Sequence, residues 1–163
     1  MKTLIIIRHA KSSWANMEER DFDRNLNERG KQDAPQMAQK LLDTNIILDT
    51  FISSSAKRAR KTAKSFIEAY GKTKNEIILS DDLYNAPSDA FYKTIATLKD
   101  EQQAVAIFAH NPGITDFVNT LCDTHIDEMP TCGIYAVQVP ITSWKHFEDA
   151  DKEFLFFKYP KEP

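Results

Sequence analysis

Residues 3–9 of the chain read Thr-Leu-Ile-Ile-Ile-Arg-His, an apolar run that ends on two polar side chains. A run rich in β-branched residues and without polar alternation is typical of a strand buried on both faces of a parallel sheet. Arg8 and His9 then lie at the carboxyl end of that strand. Because doubly wound sheets bind ligands at this edge, the stretch that predicts the fold also predicts the position of a site.

Beyond this strand, short apolar runs alternate with apolar stripes at helical spacing. Further strands are predicted over 49–53, 76–79, 104–109, 134–139 and 154–159, and helices over 34–42, 59–70, 88–98 and 114–121. The alternation predicts an α/β fold of three layers, with a mainly parallel central sheet and helices on both faces. The last two strands are candidates for antiparallel additions. Gly71 is placed to end the second helix, whereas Pro35 predicts that the first helix kinks or starts late.

Length and composition restrict the class of protein. No linker, repeat or low-complexity tract divides the 163 residues, so one domain over residues 1–163 is expected. The longest apolar run, residues 4–7, is far shorter than the roughly 20 residues of a membrane span. Cys122 and Cys132 have neither a disulfide framework nor metal-ligand spacing, which favours the reducing cytoplasm. The net charge of −3 gives no reason to expect nucleic acid as a partner.

Polar side chains follow three of the predicted strands where each strand ends. Arg8 and His9 follow the first strand, Arg58 opens the helix after the second, and His110 follows the fourth. The carboxyl ends of parallel strands share one edge of a sheet, so we expect these side chains to meet. Arg58 opposes the helix macrodipole unless an anion is bound there, and a guanidinium matches the oxygens of a phosphate. The pattern therefore predicts a phosphate site.

Each of these residues also has a plainer explanation when it is taken alone. Arg8 and His9 could simply end a strand at the surface, and His110 could be a structural histidine. Other polar residues are expected to extend into water or to serve only structure, namely Lys57, Arg60, Lys61, Asp21, Asp23, Asp81, Asp82, His125 and His146. The convergence of three separate segments is what favours the phosphate site.

The motifs of several other enzyme classes are missing from the sequence. It has no phosphate loop of the form G-x-x-x-x-G-K-[ST], no H-E-x-x-H pair for zinc and no G-x-S-x-G elbow. Neither cysteine has an arginine nearby to build a thiolate phosphatase loop. A histidine is the remaining candidate nucleophile, and neither a metal nor a cofactor is predicted.

Four segments resemble the histidine phosphatase superfamily, which has a phosphoglycerate mutase-like fold, and are most similar to its SixA-type phosphohistidine phosphatases. In chain order they are residues 8–14 (Arg-His-Ala-Lys-Ser-Ser-Trp), 23–30 (Asp-Arg-Asn-Leu-Asn-Glu-Arg-Gly), 53–63 (Ser-Ser-Ser-Ala-Lys-Arg-Ala-Arg-Lys-Thr-Ala) and 109–112 (Ala-His-Asn-Pro). Asn25 stands where proline is common in the family. Four motifs in family order make a specific signal.

The resemblance implies a mechanism and the residues that carry it. His9 is expected to attack phosphorus and to carry a covalent phosphohistidine that water hydrolyses, with one ring nitrogen held by a backbone carbonyl. Catalytic roles are implied for Arg8, Arg58 and His110, which are expected to hold the phosphoryl oxygens. Further phosphate ligands are expected at Lys11, Ser12 and Arg24. No metal is required, because the cations supply the positive field.

One departure from the family bears on the substrate. Relatives that cleave alkyl phosphates carry a proton-donating carboxylate where residues 83–87 have none, which leaves Asp82 as the nearby candidate for a general acid. An imidazole or phenolate needs that proton less than an alkoxide does. This difference, and the little chain available to cover the site, favour a phosphorylated protein, for example a histidine phosphotransfer domain. The alternatives are a small-molecule phosphomonoester phosphatase or mutase-like enzyme, and a non-catalytic phosphate-binding module.

Overall fold

The computed structural model describes residues 1–162, and six strands there form one sheet. The strands are β1 Lys2–Arg8, β2 Thr50–Ser54, β3 Ile78–Ser80, β4 Ala104–Ala109, β5 Ile134–Val139 and β6 Glu153–Lys158. They lie in the order β3-β2-β4-β1-β5-β6. The first four strands run parallel, whereas β5 pairs antiparallel with both β1 and β6. The predicted mainly parallel sheet is confirmed, and of the two late strands only β6 lies at an edge.

Helices cover both faces of this sheet. They are α1 Glu28–Leu42, α2 Lys57–Ala69, α3 Ser88–Ala96 and α4 Gly113–Val118. Ile5 and Ile7 of β1 pack in the core beneath α1 and α2, and Leu4 and Ile6 pack in the core beneath α3 and α4. All four side chains are fully buried. Burial on both faces accounts for the uninterrupted apolar run and confirms the three-layer architecture.

The predicted start points of two elements were wrong. Helix α1 does not start late at Pro35 but at Glu28, because the side chain of Asn27 caps it by accepting the Gly30 N–H at 2.9 Å. Strand β3 begins at Ile78, because Lys74–Glu76 instead form a 3₁₀ turn closed by a reciprocal cap between Thr73 and Glu76. Pro35 is exposed, so the helix accommodates the ring on its outer side.

Two glycines have a definite structural task. Gly71 adopts a positive φ of 77° and ends α2, as the sequence predicted. Gly30 lies where α1 crosses the segment that follows His9, and a Cβ at Gly30 would collide with the carbonyl oxygen of Lys11. The absence of a side chain at Gly30 therefore lets α1 approach the backbone next to His9.

Two further properties of the fold bear on the sequence predictions. No helix within residues 1–162 is both long enough and apolar enough to cross a membrane. Both cysteines are free thiols, with Cys132 buried and Cys122 partly exposed.

Candidate active site

His9 follows β1 and lies in a cleft at the carboxyl edge of the parallel strands. Only 6% of its surface is exposed, and its backbone N–H donates to the carbonyl of Ala109 in β4 at 3.1 Å. Nδ1 of its ring lies 2.8 Å from the carbonyl oxygen of Ala10. Because a carbonyl oxygen can only accept, Nδ1 carries the proton and Nε2 keeps a free lone pair. The expected backbone-carbonyl partner is present.

The surroundings of His9 keep its imidazole neutral. Burial lowers the pKa of His9 well below its usual value near 6.5, and the neighbouring His110 ring and the Arg58 and Arg8 guanidinium groups lower it further. The hydrogen bond to Ala10 opposes this shift but does not reverse it. A neutral imidazole with a free Nε2 lone pair is a competent nucleophile.

His110 faces His9 across the cleft. Their ring centroids are 5.0 Å apart, with 51° between the ring planes. Nε2 of His110 lies 2.8 Å from the hydroxyl of Ser54 at the end of β2, and its Nδ1 is buried without a hydrogen-bond partner among the described residues. Burial, followed by the charge of Arg58, lowers the pKa of His110 to about 3. This second imidazole is therefore also neutral, with one ring nitrogen held and one free.

Two guanidinium groups flank the histidines, and each has some of its donors occupied by the protein. Nη1 of Arg8 donates to the carbonyl of Met129 at 2.8 Å. Nη1 of Arg58 donates to the backbone carbonyl of Asp21 at 2.7 Å, and its Nη2 donates to the Asp21 carboxylate at 3.0 Å. In both arginines the buried Nε has no partner among residues 1–162.

Unpaired buried polar atoms concentrate at this cleft. Among the described residues, the buried side-chain nitrogen and oxygen atoms without a partner are Arg8 Nε, Arg58 Nε, His110 Nδ1 and Ser88 Oγ. Three of these four belong to side chains that line the cleft. A buried polar atom left without a partner costs about 1–3 kcal/mol, so three at one place indicate a ligand with several polar atoms.

Contacts between elements hold the backbone beneath these side chains. The Thr62 hydroxyl of α2 accepts the Ala10 N–H at 2.9 Å and donates to the carbonyl of Arg58 at 2.8 Å. The Cys132 N–H donates to the carbonyl of His9 at 3.0 Å. The end of β1, the first turn of α2 and the start of β5 are therefore fixed relative to one another.

The expectation of a merely solvated loop carboxylate at Asp21 is wrong. Besides Arg58, it accepts from the Tyr84 hydroxyl at 2.6 Å and from Nε of Arg24 at 3.1 Å. Partial burial raises the pKa of Asp21, but the hydrogen bonds from Tyr84 and Arg58 outweigh that effect and lower it to about 2. The only signal in the sequence was the spacing of Asp21 and Arg24, which suits an i,i+3 ion pair.

The remaining predicted phosphate ligands lie along the rim. Nη1 of Arg24 donates to the Ser12 hydroxyl at 2.5 Å, and its guanidinium stacks 3.6 Å above the centre of the Trp14 ring. Lys11 is exposed. The cleft has a volume of 380 Å³ and is lined by Arg8, His9, Lys11, Ser12, Ser13, Trp14, Arg24, Asn27, Arg58, His110, Asn111 and Thr131. Ser13, Trp14, Asn27, Asn111 and Thr131 had no predicted role in binding.

Other polar residues singled out in the sequence lie elsewhere. Asp82 lines a separate surface depression with Pro87 and Lys93, and it is not among the side chains that line the cleft. His125 and His146 are exposed outside the cleft.

The cations at the start of α2 behave differently from one another. Lys61 is exposed and Lys57 is half-buried. Arg60, which was expected to extend into water, instead donates its Nε to the carbonyl of Ser55 at 2.8 Å. The start of α2 has no side-chain cap, so the carbonyl of Ser55, just after β2, is available to the guanidinium of Arg60.

No three histidine, cysteine, aspartate or glutamate side chains within residues 1–162 come together in a group that could hold a metal ion. The cleft instead offers three guanidinium groups, an ammonium group and two neutral imidazoles. Fold and site together define an α/β protein with a cation-lined cleft built around two histidines at the carboxyl edge of the parallel strands.

Comparison with known proteins places the chain in a family. A sequence model of the histidine phosphatase superfamily (branch 1) matches residues 4–88, and the chain belongs to that superfamily. An uncharacterized protein of Mycobacterium leprae is 30% identical over 95% of this chain and 100% of its own length. Residues 4–88, which the superfamily model matches, include Arg8, His9 and Arg58, whereas His110 lies outside that range.

Solved structures extend the similarity over the whole fold. The Agrobacterium tumefaciens protein named as phosphohistidine phosphatase SixA has a TM-score of 0.80, with 28% identity over 98% of both chains. A protein histidine phosphatase SixA in complex with tungstate also has a TM-score of 0.80, with 19% identity over 97% of both chains. The second likeness concerns the fold alone.

Proposed function

We propose that this protein is a phosphatase that removes the phosphoryl group from phosphohistidine in a protein, through a covalent phosphohistidine on His9. The observation that carries the proposal is the set of three unpartnered buried nitrogen atoms, on Arg8, Arg58 and His110, around the free Nε2 of His9. A tetrahedral phosphoryl group supplies oxygen acceptors for these donors while its phosphorus faces a nucleophile.

The first step transfers the phosphoryl group to His9. The Nε2 lone pair attacks phosphorus in line with the leaving nitrogen, the P–N bond of the substrate breaks, and its electron pair goes to that nitrogen. A substrate ring protonated on its other nitrogen thereby leaves as neutral imidazole. The Nδ1–H of His9 continues to donate to the carbonyl of Ala10, which stabilises the positive charge that phosphorylation places on the ring. In the second step water attacks phosphorus, the P–Nε2 bond breaks and its electron pair returns to Nε2, so His9 becomes neutral again while the water protons leave with inorganic phosphate.

Arg8, Arg58 and His110 stabilise charge on the phosphoryl oxygens in both steps. Since these oxygens only accept hydrogen bonds, His110 acts as the tautomer with the proton on Nδ1. Nε2 then accepts from the Ser54 hydroxyl, which in turn accepts the Ala56 N–H at 3.2 Å. This relay holds the orientation of the His110 ring and is compatible with the tautomer that carries the proton on Nδ1.

Lys11, Ser12 and Arg24 are proposed as phosphate ligands at the rim. Arg24 is held by Ser12, Trp14 and Asp21, so its guanidinium is oriented before substrate arrives. Lys11 contributes a mobile ammonium group. These contacts add affinity for the dianion without requiring a metal or a cofactor.

The chemistry of the leaving group supports a P–N bond. Asp21, whose carboxylate accepts a hydrogen bond from Arg58, has a pKa of about 2 and is ionised at neutral pH. It therefore cannot protonate a departing alkoxide, whereas imidazole and phenolate leave with less assistance. Asp82 lies in a separate depression, which further disfavours it as a general acid.

The comparisons support a phosphoprotein as the substrate. The Agrobacterium tumefaciens neighbour is named as a phosphohistidine phosphatase, and tungstate, bound by another neighbour, is an oxyanion of similar shape to phosphate. A histidine phosphotransfer domain in the cytoplasm is the partner that fits this chemistry.

Phosphate release from three substrates tests the proposal: a histidine phosphotransfer domain phosphorylated on histidine, an aryl phosphate and a sugar phosphate. The expected order of kcat/KM places the phosphohistidine protein first, the aryl phosphate second and the sugar phosphate last. Equal or faster release from the sugar phosphate would overturn the substrate assignment in favour of a small-molecule phosphatase or mutase-like enzyme. Binding of vanadate with no turnover of any substrate would indicate a non-catalytic phosphate-binding module.

A further inference from the structure

The loop that follows β1 borders the cleft through Trp14 and carries two exposed apolar side chains, Trp14 and Met17, which we call the apolar lip. Trp14 is 73% exposed and Met17 is 94% exposed. Single exposed apolar residues are ordinary on protein surfaces. Two large ones lie three residues apart in one segment, with Trp14 lining the cleft itself, and aromatic and methionine side chains are enriched at protein interfaces.

The apolar lip is held in place by the protein. One face of the Trp14 indole is covered by the Arg24 guanidinium at 3.6 Å. The turn that carries Met17 is fixed by the Asn16 side chain, which accepts the Glu18 N–H at 3.1 Å. The Trp14 indole is therefore held against Arg24, and the backbone turn beneath the exposed Met17 side chain is hydrogen-bonded.

A cationic shelf extends the cleft on another side. Lys11, Arg29 and Lys161 border a depression of 310 Å³ that is also lined by Tyr159 and shares Lys11 with the cleft. Arg29 lies 3.4 Å from Asp33, which offsets part of its charge. Lys11 and Lys161 make no ion pair among the described residues, so the shelf keeps a net positive charge.

We propose that the apolar lip and the cationic shelf together dock the protein that carries the phosphorylated side chain. The partner that fits is a folded domain whose phosphorylated residue has apolar side chains on one side and acidic side chains on the other. Glu18 and Glu19 follow Met17 and would repel acidic side chains of a partner. Attraction at the lip is therefore apolar, whereas attraction at the shelf is electrostatic. This inference rests on the proposed function.

The positions of Met17 and Lys161 distinguish a protein from a small substrate. Neither side chain lines the 380 Å³ cleft that would hold a phosphoryl group. A free phosphorylated amino acid can fill the cleft without reaching them, whereas a protein surface around the phosphoryl group extends over the rim. Loss of either side chain should therefore affect only the larger substrate.

Two substrates with the same P–N bond provide the test: a phosphorylated histidine phosphotransfer domain and free phosphohistidine. The rim variants are Met17→Ser and Lys161→Glu. Their matched controls are Ile47→Ser and Lys99→Glu, because Ile47 and Lys99 are exposed next to the amino ends of β2 and β4, at the opposite edge of the sheet. Steady-state KM and kcat are measured for all five proteins, including the wild type.

Each rim variant is expected to raise KM for the phosphorylated domain about three- to tenfold, because a peripheral interface contact is worth a fraction of a hot spot. Values for free phosphohistidine should stay unchanged, and the controls should match the wild type on both substrates. Equal effects on the two substrates, or none on either, would contradict the proposed docking surface and leave the proposed function intact. Wild-type protein that hydrolyses neither P–N substrate would overturn the proposed function, and an altered oligomeric state of Met17→Ser with unchanged KM would assign the lip to a second copy.

Discussion

The Asp21 carboxylate lies 3.0 Å from Nη2 of Arg58, and the backbone carbonyl of Asp21 lies 2.7 Å from Nη1 of the same guanidinium. Both terminal nitrogens of Arg58 are thus engaged by a single residue that the chain places far away in sequence. Arg58 is 6% exposed, so its guanidinium is held in a nearly closed environment with only Nε unpartnered. Asp21 is therefore a positioning residue for the proposed phosphate-binding arginine.

Replacing Asp21 by asparagine removes the charge that holds Arg58 while preserving the size of the side chain. A charge-assisted hydrogen bond is worth about 1.5–3 kcal/mol, so kcat/KM for the aryl phosphate should fall about 10- to 100-fold. Asp23→Asn is the control, because Asp23 pairs only with the exposed Arg20 among the described residues. Unchanged kcat/KM, or tighter vanadate binding, would show that Asp21 competes with the anion for Arg58.

Arg58 itself is expected to be needed for both binding and rate. Arg58→Ala should weaken vanadate binding and lower kcat by about 100-fold or more, since it removes a preorganised donor to the transition state. Arg58→Lys should restore little, because an ammonium group lacks the fork of donors. Arg60→Ala, two residues further along α2, is the control and should keep near-normal kinetics. A fully active Arg58→Ala would remove this residue from the mechanism.

The Ser54 hydroxyl should set the tautomer of His110. Ser54→Ala leaves Nε2 of His110 without its partner at 2.8 Å, so we expect kcat to fall about tenfold with a smaller change in KM. Ser53→Ala removes the same volume from the same strand, but its hydroxyl donates to a backbone carbonyl at 2.9 Å. Equal kinetic losses in the two variants would reduce the role of Ser54 to packing.

Both cleft histidines should stay neutral in the folded protein from about pH 8 down to about pH 5. Burial is the main cause of the lowered pKa of His9 and of the pKa near 3 at His110. Side-chain NMR shifts of the two imidazoles, followed against pH, measure this directly. A midpoint near 6.5 for either ring would contradict the account.

The same shift makes the free energy of unfolding depend on pH. The unfolded chain takes up a proton at His110 as pH falls below 6.5, whereas the folded chain does so only near pH 3. The unfolded state thus binds more protons in this window, and stability falls with falling pH, by about 3 kcal/mol between pH 6.5 and 4 from His110 alone. Urea unfolding at several pH values measures the slope, which should be shallower in His110→Asn.

The parts of the fold that could be read from sequence are those governed by burial. β1 and β4 are apolar without interruption because both of their faces are covered, and the polar residues after them mark the sheet edge. The start of β3 was less well predicted, because its Ile78 and Leu79 are about half exposed at the edge of the sheet and no burial pattern marks them.

The role of Asp21 in positioning Arg58 could not be predicted from burial patterns in the sequence. Its carboxylate contacts Arg58 in the first turn of α2 and Tyr84 in the segment after β3. The hydrophobic periodicity of the sequence gives no information on such contacts between separate segments. Likewise, Trp14 gains its place at the cleft by stacking on Arg24, a contact that no spacing rule predicts. Strand ends revealed the residues proposed to react, whereas the residues that position them depend on tertiary packing.

The central claim is that His9 forms a covalent bond to phosphorus, and trapping that intermediate tests it most directly. Wild-type protein is quenched with denaturant at alkaline pH, where phosphohistidine survives, during turnover of ³²P-labelled substrate, and the labelled peptide is identified. We expect label on the peptide that contains His9, and none in His9→Ala, whose fold should persist because a strand-end side chain contributes little to the core. Label on any other residue, or near-normal turnover by His9→Ala, would contradict the mechanism.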